Sequence, residues 1–214
     1  MLDAELFTKT PSLFKAVYRE CLWNIKTNEK KLYLTFDDGP VTEVTSFVLD
    51  ELKRWNAKAT FFCIGKNIEA NAEVFKRIID EGHSVGNHTY EHLDGWKTPG
   101  KIYIDNIQKC DSVLTANCQW PAVNALFRPP YGKLKPSQYF KLKSQYKLVM
   151  WDVLSFDFDP LISGNLVLQN VIKNAREGSI VVFHDSLKAK AKMEFALPKV
   201  LEYFTAKGFK FEKL

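Results

Sequence analysis

Along the chain, short apolar runs alternate with longer stretches in which apolar residues recur every three or four positions. The runs predict strands at 32–36, 59–63, 147–151 and 179–183, with shorter ones at 84–85, 126–127 and 209–212. The amphipathic stretches predict helices over about 43–55, 68–81, 103–116, 136–145, 166–176 and 197–206. In the first of these, Val44, Phe47, Val48, Leu52 and Trp55 share one face, and Gly82 stands where the second would end. Residues 86–100, with Gly95, Pro99 and Gly100, read as an irregular loop. Residues 1–30 are the least regular part: Phe7, Leu13, Phe14, Val17, Tyr18, Leu22 and Trp23 suit a short helix and then an extended segment. They are read as an extension packed on a single domain formed by residues 31–214.

The order is one of about seven strand–helix repeats, which is an α/β class with parallel strands. An open doubly wound sheet and a closed barrel satisfy it equally. Both build their sites at the C-terminal ends of strands, where every polar cluster of interest here falls.

Composition narrows the function. With 214 residues, 46% of them hydrophobic and 16 of them Phe, the chain can bury one large core. The net charge of +5 is spread over scattered lysines with no basic block, so a nucleic-acid binder is not expected. Cys21, Cys63, Cys110 and Cys118 form no C-x-x-C pair, which argues against a zinc ribbon or thioredoxin-like site, and four reduced, mostly buried thiols are expected over disulfides, the alternative that an even number leaves open. No stretch approaches the length of a membrane span. Asp3, Glu5, Lys9, Lys15 and Arg19 interrupt any signal-peptide core. A cytoplasmic protein is therefore expected, or an extracytoplasmic one if a leader has been trimmed, and a monomer.

Five polar groups stand at predicted strand ends. Strand 32–36 runs into Asp37-Asp38-Gly39-Pro40. Two adjacent carboxylates at the mouth of a buried strand repel each other and resist desolvation, so they call for a cation or a shared proton. A capping aspartate beside a solvated one is the plainer alternative. His88 and His92 are four apart, a spacing that on a helical turn puts both imidazoles on one face, suited to one metal ion. His83, nearby, reads as structural. In Phe127-Arg-Pro-Pro-Tyr-Gly132 two prolines stiffen the backbone that carries Arg128 and Tyr131, and a fixed guanidinium pairs readily with a carboxylate. Asp152, Asp157 and Asp159 follow another strand, and one of them can orient an imidazole. His184 ends an apolar strand, as a general acid or as a satisfied structural histidine. Together, one Asp and two His make a three-ligand set that leaves a zinc-like ion an open position, with a second Asp over as base. The residues alone do not say which Asp is which.

With these motifs in this order, the chain resembles the polysaccharide deacetylases of carbohydrate esterase family 4, the NodB-homology domain. The resemblance runs from about Lys31 to the C-terminus and rests on Thr35-Phe-Asp-Asp-Gly-Pro40, His88-Thr-Tyr-Glu-His92, Arg128-Pro-Pro-Tyr-Gly132, the Asp157 segment and Val182-Phe-His184. It implies a distorted (β/α)7-type barrel. It implies that Asp37 is the general base, that Asp38, His88 and His92 hold the metal, and that Arg128 partners the base. The backbone N–H of Tyr131 becomes an oxyanion donor, and His184 a general acid oriented by Asp157. The implied cofactor is Zn²⁺, or Co²⁺, Ni²⁺ or another divalent metal in its place. The implied substrate is an N-acetylated glycan such as peptidoglycan or a chitin-like oligosaccharide, with removal of N-acetyl or O-acetyl groups. A related amide hydrolase acting on a small non-sugar substrate, and a non-catalytic carbohydrate-binding barrel, are the alternatives. Leu93 and Phe158 depart from the family pattern, where proline and tryptophan are common, and so bear on the shape of the groove. Tyr90, Trp96 and Tyr131 are the candidate sugar-stacking rings.

Overall fold

The structure is a computed structural model that describes residues 8–10, 15, 18–121 and 123–214. Phe7, Leu13, Phe14 and Val17, assigned above to the N-terminal extension, lie outside the described residues. The strands are β1 (Lys31–Asp37), β2 (Ala59–Cys63), β3 (Ser84–Asn87), β4 (Ala125–Phe127), β5 (Tyr146–Leu148), β6 (Val153–Leu154), β7 (Ile180–His184) and β8 (Lys210–Phe211). They form one sheet in the order β5-β4-β3-β2-β1-β7-β6, with β8 beside the start of β1. The pairings between these strands are parallel. The sheet curls into the incomplete barrel that the resemblance implies. Around it lie α1 (Thr42–Arg54), α2 (Gly65–Ala70), α3 (Ala72–Asp80), α4 (Gly100–Asn117), α5 (Pro136–Leu142), α6 (Gly164–Asn174) and α7 (Lys190–Ala206).

Strand periodicity sorts the side chains into two sets. Leu32, Leu34 and Phe36 of β1, Ala59, Phe61 and Cys63 of β2, and Val181 and Phe183 of β7 pack outward into the large core shared with the helices. The alternate residues face the other way: Thr35 and Asp37 on β1, Phe62 on β2, and Ile180, Val182 and His184 on β7. This second face carries the chemistry. Gly86 of β3 makes room for it, since a Cβ there would lie 2.4 Å from the Phe62 ring.

The N-terminal segment is sewn across the open side of the barrel. Leu22 N–H donates to the Leu148 carbonyl at 2.8 Å, and Met150 N–H to Leu22 at 2.8 Å. Asn24 bridges Ser179 antiparallel, just before β7. Lys15 reaches the buried Asp152 at 2.6 Å, and Ser179 Oγ donates to the same carboxylate at 2.8 Å. Asp152 is thus a structural anchor. The four cysteines are free thiols, three of them buried. Among the described residues, no helix is long and apolar enough to cross a membrane.

The structure corrects several expected boundaries. The helix expected over 68–81 is two, α2 and α3, broken at Asn71 (φ −134°, ψ 46°). Asn71 Nδ2 donates to the Asn67 carbonyl at 3.0 Å, a local bond that competes with helix continuation, and Asn71 Oδ1 accepts from the distant Thr42 Oγ1 at 2.8 Å. The last helix begins at Lys190 and runs through Pro198, because Met193, Ala196, Leu197, Val200 and Leu201 bury a continuous stripe that outweighs the lost backbone bond. The strand expected over 147–151 stops at Leu148, and β6 follows after a break that takes Leu22 as a neighbour.

Candidate active site

β1 and β7 pair in parallel with Asp37 opposite His184, which fixes two of the site residues side by side at the strand ends. Asp38, one residue on, would point away if the strand continued. It lies instead at φ +80°, and both aspartates line one cavity of about 270 Å³. The close turn needs Gly39: its N–H donates to the buried Asp185 Oδ1 at 3.0 Å, and a Cβ would sit 1.9 Å from Asp185 Oδ2. Asp185 also accepts from Thr45 Oγ1 at 2.6 Å, and burial raises its pKa to about 7. Gly39→Ala should therefore cost about 1–3 kcal/mol through displacement of Asp185. Urea unfolding checks this, and an unchanged midpoint would mean that the turn relaxes freely.

His88 and His92 converge as expected, but not on a helical turn. Residues 88–92 are a loop in which Thr89 and His92 are left-handed (φ +64° and +58°). Neighbours hold this shape. Asn87 Oδ1 accepts from Thr89 N–H at 2.7 Å, and Asn106 Oδ1 on α4 accepts from Tyr90 and Glu91 N–H at 2.9 and 3.0 Å. Leu93 N–H donates to Thr89 Oγ1 at 3.2 Å, a bond that proline could not make. The Leu93 side chain packs on the smaller core beside Tyr103.

Asp38, His88 and His92 offer ligand atoms within 4.8 Å of one another. His88 Nε2 is 3.8 Å and His92 Nε2 3.1 Å from Asp38 Oδ1. The donor set suits a divalent cation. His88 Nδ1 lies 2.7 Å from the Arg128 carbonyl, which makes it the N–H and turns the Nε2 lone pair toward Asp38. Burial lowers the His88 pKa to about 4, so the ring is a neutral ligand at physiological pH. Burial disfavours the Asp38 carboxylate, but the hydrogen bond from His92 and the charges of His184 and His88 overcome it and hold its pKa below the usual range.

On one side of this cluster stands Asp37, gripped by Arg128. The arginine is fully buried. It donates from Nη1 to Asp37 Oδ1 at 2.6 Å and to Thr35 Oγ1 at 2.7 Å, from Nη2 to the Met150 carbonyl at 2.9 Å, and from Nε to the Val149 carbonyl at 3.3 Å. Its guanidinium lies 4.1 Å over the Phe62 ring. On the other side stands His184. Asp157 takes its Nδ1 at 2.7 Å and its backbone N–H at 2.8 Å. Burial alone would lower the His184 pKa, but the charge and hydrogen bond of Asp157 prevail and raise it to about 9. A histidine whose folded value lies above its unfolded one gives stability in full below pH 6.5, lost as the pH rises through about 9. Asp157→Asn should flatten that decline in Tm and move the alkaline limb of kcat/KM to lower pH. Coincident profiles for variant and parent would refute the pairing.

The remaining candidates fall on either side of the expectation. Tyr131 is at the site: left-handed (φ +60°), 57% exposed, its ring 4.7 Å from that of His92. Trp96 is 59% exposed, with its indole N–H on the Leu134 carbonyl at 3.1 Å, and is not core. Tyr90 turns to Glu69 at 2.7 Å and is not a lining residue of the cavity. Asp159 caps a turn through Leu161 N–H at 2.9 Å. His83 is buried away from the site and accepts from Ala59 N–H at 3.2 Å, as a structural histidine does. Phe158 lines the cavity edge-on to His184 at 4.9 Å, so an aromatic role persists at this departure from the family pattern. Trp151, Lys133 and Lys188 also line the cavity and were not singled out from the sequence. Trp151 borders a motif; the lysines carry no signal that sets them apart from other surface lysines.

An incomplete parallel barrel whose strand ends gather a three-donor cluster between a held carboxylate and a held imidazole is the framework of a metal-dependent hydrolase. Comparison with known proteins makes this specific. The polysaccharide deacetylase family model matches residues 24–150. The chain is 33% identical over 194 residues to a peptidoglycan-N-acetylglucosamine deacetylase of Bacillus cereus, covering 88% of each. It is 31% identical over 188 residues to chitin deacetylase 2 of Saccharomyces cerevisiae, covering 80% of this chain and 55% of that one. The crystal structure of the Bc1960 peptidoglycan N-acetylglucosamine deacetylase, in complex with a naphthalenyl N-oxidanyl-benzamide, matches with a TM-score of 0.86 at 33% identity, over 96% of this chain and 95% of that chain. The chain belongs to the polysaccharide deacetylase family, carbohydrate esterase family 4.

Proposed function

We propose that this protein is a zinc-dependent deacetylase that removes N-acetyl groups from N-acetylglucosamine-containing glycans, of the kind found in peptidoglycan and chitin-like oligosaccharides. The observation that carries the reading is the meeting of Asp38, His88 and His92 with the Asp37–Arg128 and Asp157–His184 pairs around one cavity. The substrates named for the relatives above support the choice of glycan. The residues of this set come from one chain, so a monomer suffices for it.

A divalent ion held by Asp38, His88 and His92 would supply Lewis-acid activation of water and of the acetyl carbonyl, and zinc suits one carboxylate with two imidazoles. Asp37 takes the proton of the attacking water, with Arg128 keeping its carboxylate aimed into the cavity. As the water oxygen bonds to the carbonyl carbon, the Tyr131 backbone N–H donates to the oxygen that gains charge. His184, protonated through neutral pH and fixed by Asp157, gives its Nε2 proton to the amide nitrogen as the C–N bond breaks. Acetate and a free amino sugar leave.

Acetate release from chitooligosaccharides and peptidoglycan fragments, with metal content measured in parallel, tests the proposal. Zinc-loaded protein that liberates ammonia or formate from small amides, but no acetate from either glycan, would sink it.

A further inference from the structure

Two lysines flank the cavity. On the β4 side, Lys133 Nζ lies 5.2 Å from the Tyr131 ring centre and is ion-paired with Asp94 at 3.1 Å. On the β7 side, Lys188 Nζ lies 3.3 Å from Asp38 Oδ2 and 5.7 Å from the Phe158 ring centre. The two differ in what their partners do. Asp94 has no part in the metal cluster, so Lys133 keeps its counter-charge. Asp38 belongs to the cluster: the imidazoles face its Oδ1 and Lys188 its Oδ2, so a divalent ion there would share the carboxylate's single charge with Lys188. Lys188, whose side chain is 54% exposed, would then be a cation facing the cavity with its charge only partly balanced. Asp37 is balanced by Arg128 and Asp157 by His184, so the loaded cavity holds an excess of positive charge, concentrated at the ion and Lys188.

We propose that Lys188 is a specificity-determining residue that selects acidic glycans: its ammonium pairs with a carboxylate that the substrate carries close to its N-acetyl group. The inference rests on the deacetylase reading and names the substrate class within it. A neutral polymer offers Lys188 no partner. A carboxylate-bearing glycan would supply the counter-charge that Lys188 otherwise shares with the ion at Asp38. The four-carbon stem of Lys188 lets the charge follow the substrate, and its exposure makes the attraction sensitive to salt.

The test uses one tetrasaccharide of alternating N-acetylglucosamine and N-acetylmuramic acid, with its lactyl carboxylates free or as methyl esters. Metal content is equalised for every variant, because Lys188 touches a ligand residue. At low salt, kcat/KM for the acid should exceed that for the ester about tenfold, through KM, and the ratio should narrow at about 0.5 M salt. Lys188→Met should bring the ratio near one and Lys188→Arg should keep it. Lys133→Met should move it by less than roughly twofold, its charge being already paired. Equilibrium binding of both compounds to the Asp37→Asn variant should give the same preference without turnover. Equal binding and equal kcat/KM for acid and ester, or a preference that survives Lys188→Met, overturns the proposal. If neither compound releases acetate and chitooligosaccharides release none either, the deacetylase reading fails instead, and the binding ratio still decides the role of Lys188.

Discussion

Arg128→Met should lower Tm by roughly 6–20 °C and leave little activity in the protein that stays folded. The arginine has no contact with solvent, and its guanidinium is the shared donor of Asp37, Thr35 and the carbonyls of Val149 and Met150. Methionine fills much of the stem's volume but restores none of these bonds. It strands the Asp37 carboxylate, itself 4% exposed, in a site built around a cation. Removing one partner of a buried pair costs about 3–5 kcal/mol, most of it the charge left behind. The double variant Arg128→Met/Asp37→Asn should therefore recover part of the loss, since an amide is less costly to bury alone. Arg128→Lys keeps the charge and loses the fork, and should fall between. Thermal and urea unfolding of the parent, Arg128→Met, Asp37→Asn and the double variant form a double-mutant cycle, with Arg128→Lys as the conservative control. A Tm for Arg128→Met within about 2 °C of the parent would show that the pair is structurally idle.

His92→Ala should abolish metal retention and lower kcat by about three orders of magnitude, ~4 kcal/mol of barrier. His88→Ala should do the same, with an added penalty. The His88 Nδ1–H satisfies the buried Arg128 carbonyl, and an orphaned buried acceptor costs about 1–3 kcal/mol. The His92 side chain is 20% exposed and touches Asp38 and the Tyr131 ring, so its removal is the milder change to the fold. The pair thus separates ligand loss from fold damage. Both variants should lose metal, and only His88→Ala should melt well below the metal-free parent. Metal per chain after dialysis against a chelator, Tm, and acetate release are the three readouts. One equivalent of metal and full turnover in His92→Ala would disprove the ligand assignment.

The strands and most helices were legible because their signals are local. β1, β2 and β7 are near-continuous apolar runs, and α1 carries a clear buried stripe. The errors lie where a distant contact outweighs a local preference. Asn71 breaks a helix by bonding Thr42 Oγ1. Pro198 sits inside a helix because the stripe around it is buried. The His88–His92 spacing suggested a helical turn, yet the two rings meet through left-handed residues braced by Asn87 and Asn106. Asn87 stands beside the motif, but Asn106, which holds the N–H groups of Tyr90 and Glu91, comes from α4, outside any short window around it.

Read alone, the chain specifies its alternating elements, its donor types and their order. Thr35 to Pro40, His88 to His92, Arg128 to Gly132 and the segments of Asp157 and His184 suffice to recognise the family. The role of each carboxylate belongs to the folded molecule. Asp37 and Asp38 are chemically identical neighbours, and they part because the β1 pleat turns one inward onto Arg128 while a positive φ swings the other toward two imidazoles. The same holds for Lys188, an ordinary surface lysine in the sequence that the end of β7 sets against Asp38. Residue type and periodicity are carried by near neighbours, whereas burial and partnership are set by strand register between segments far apart in the chain.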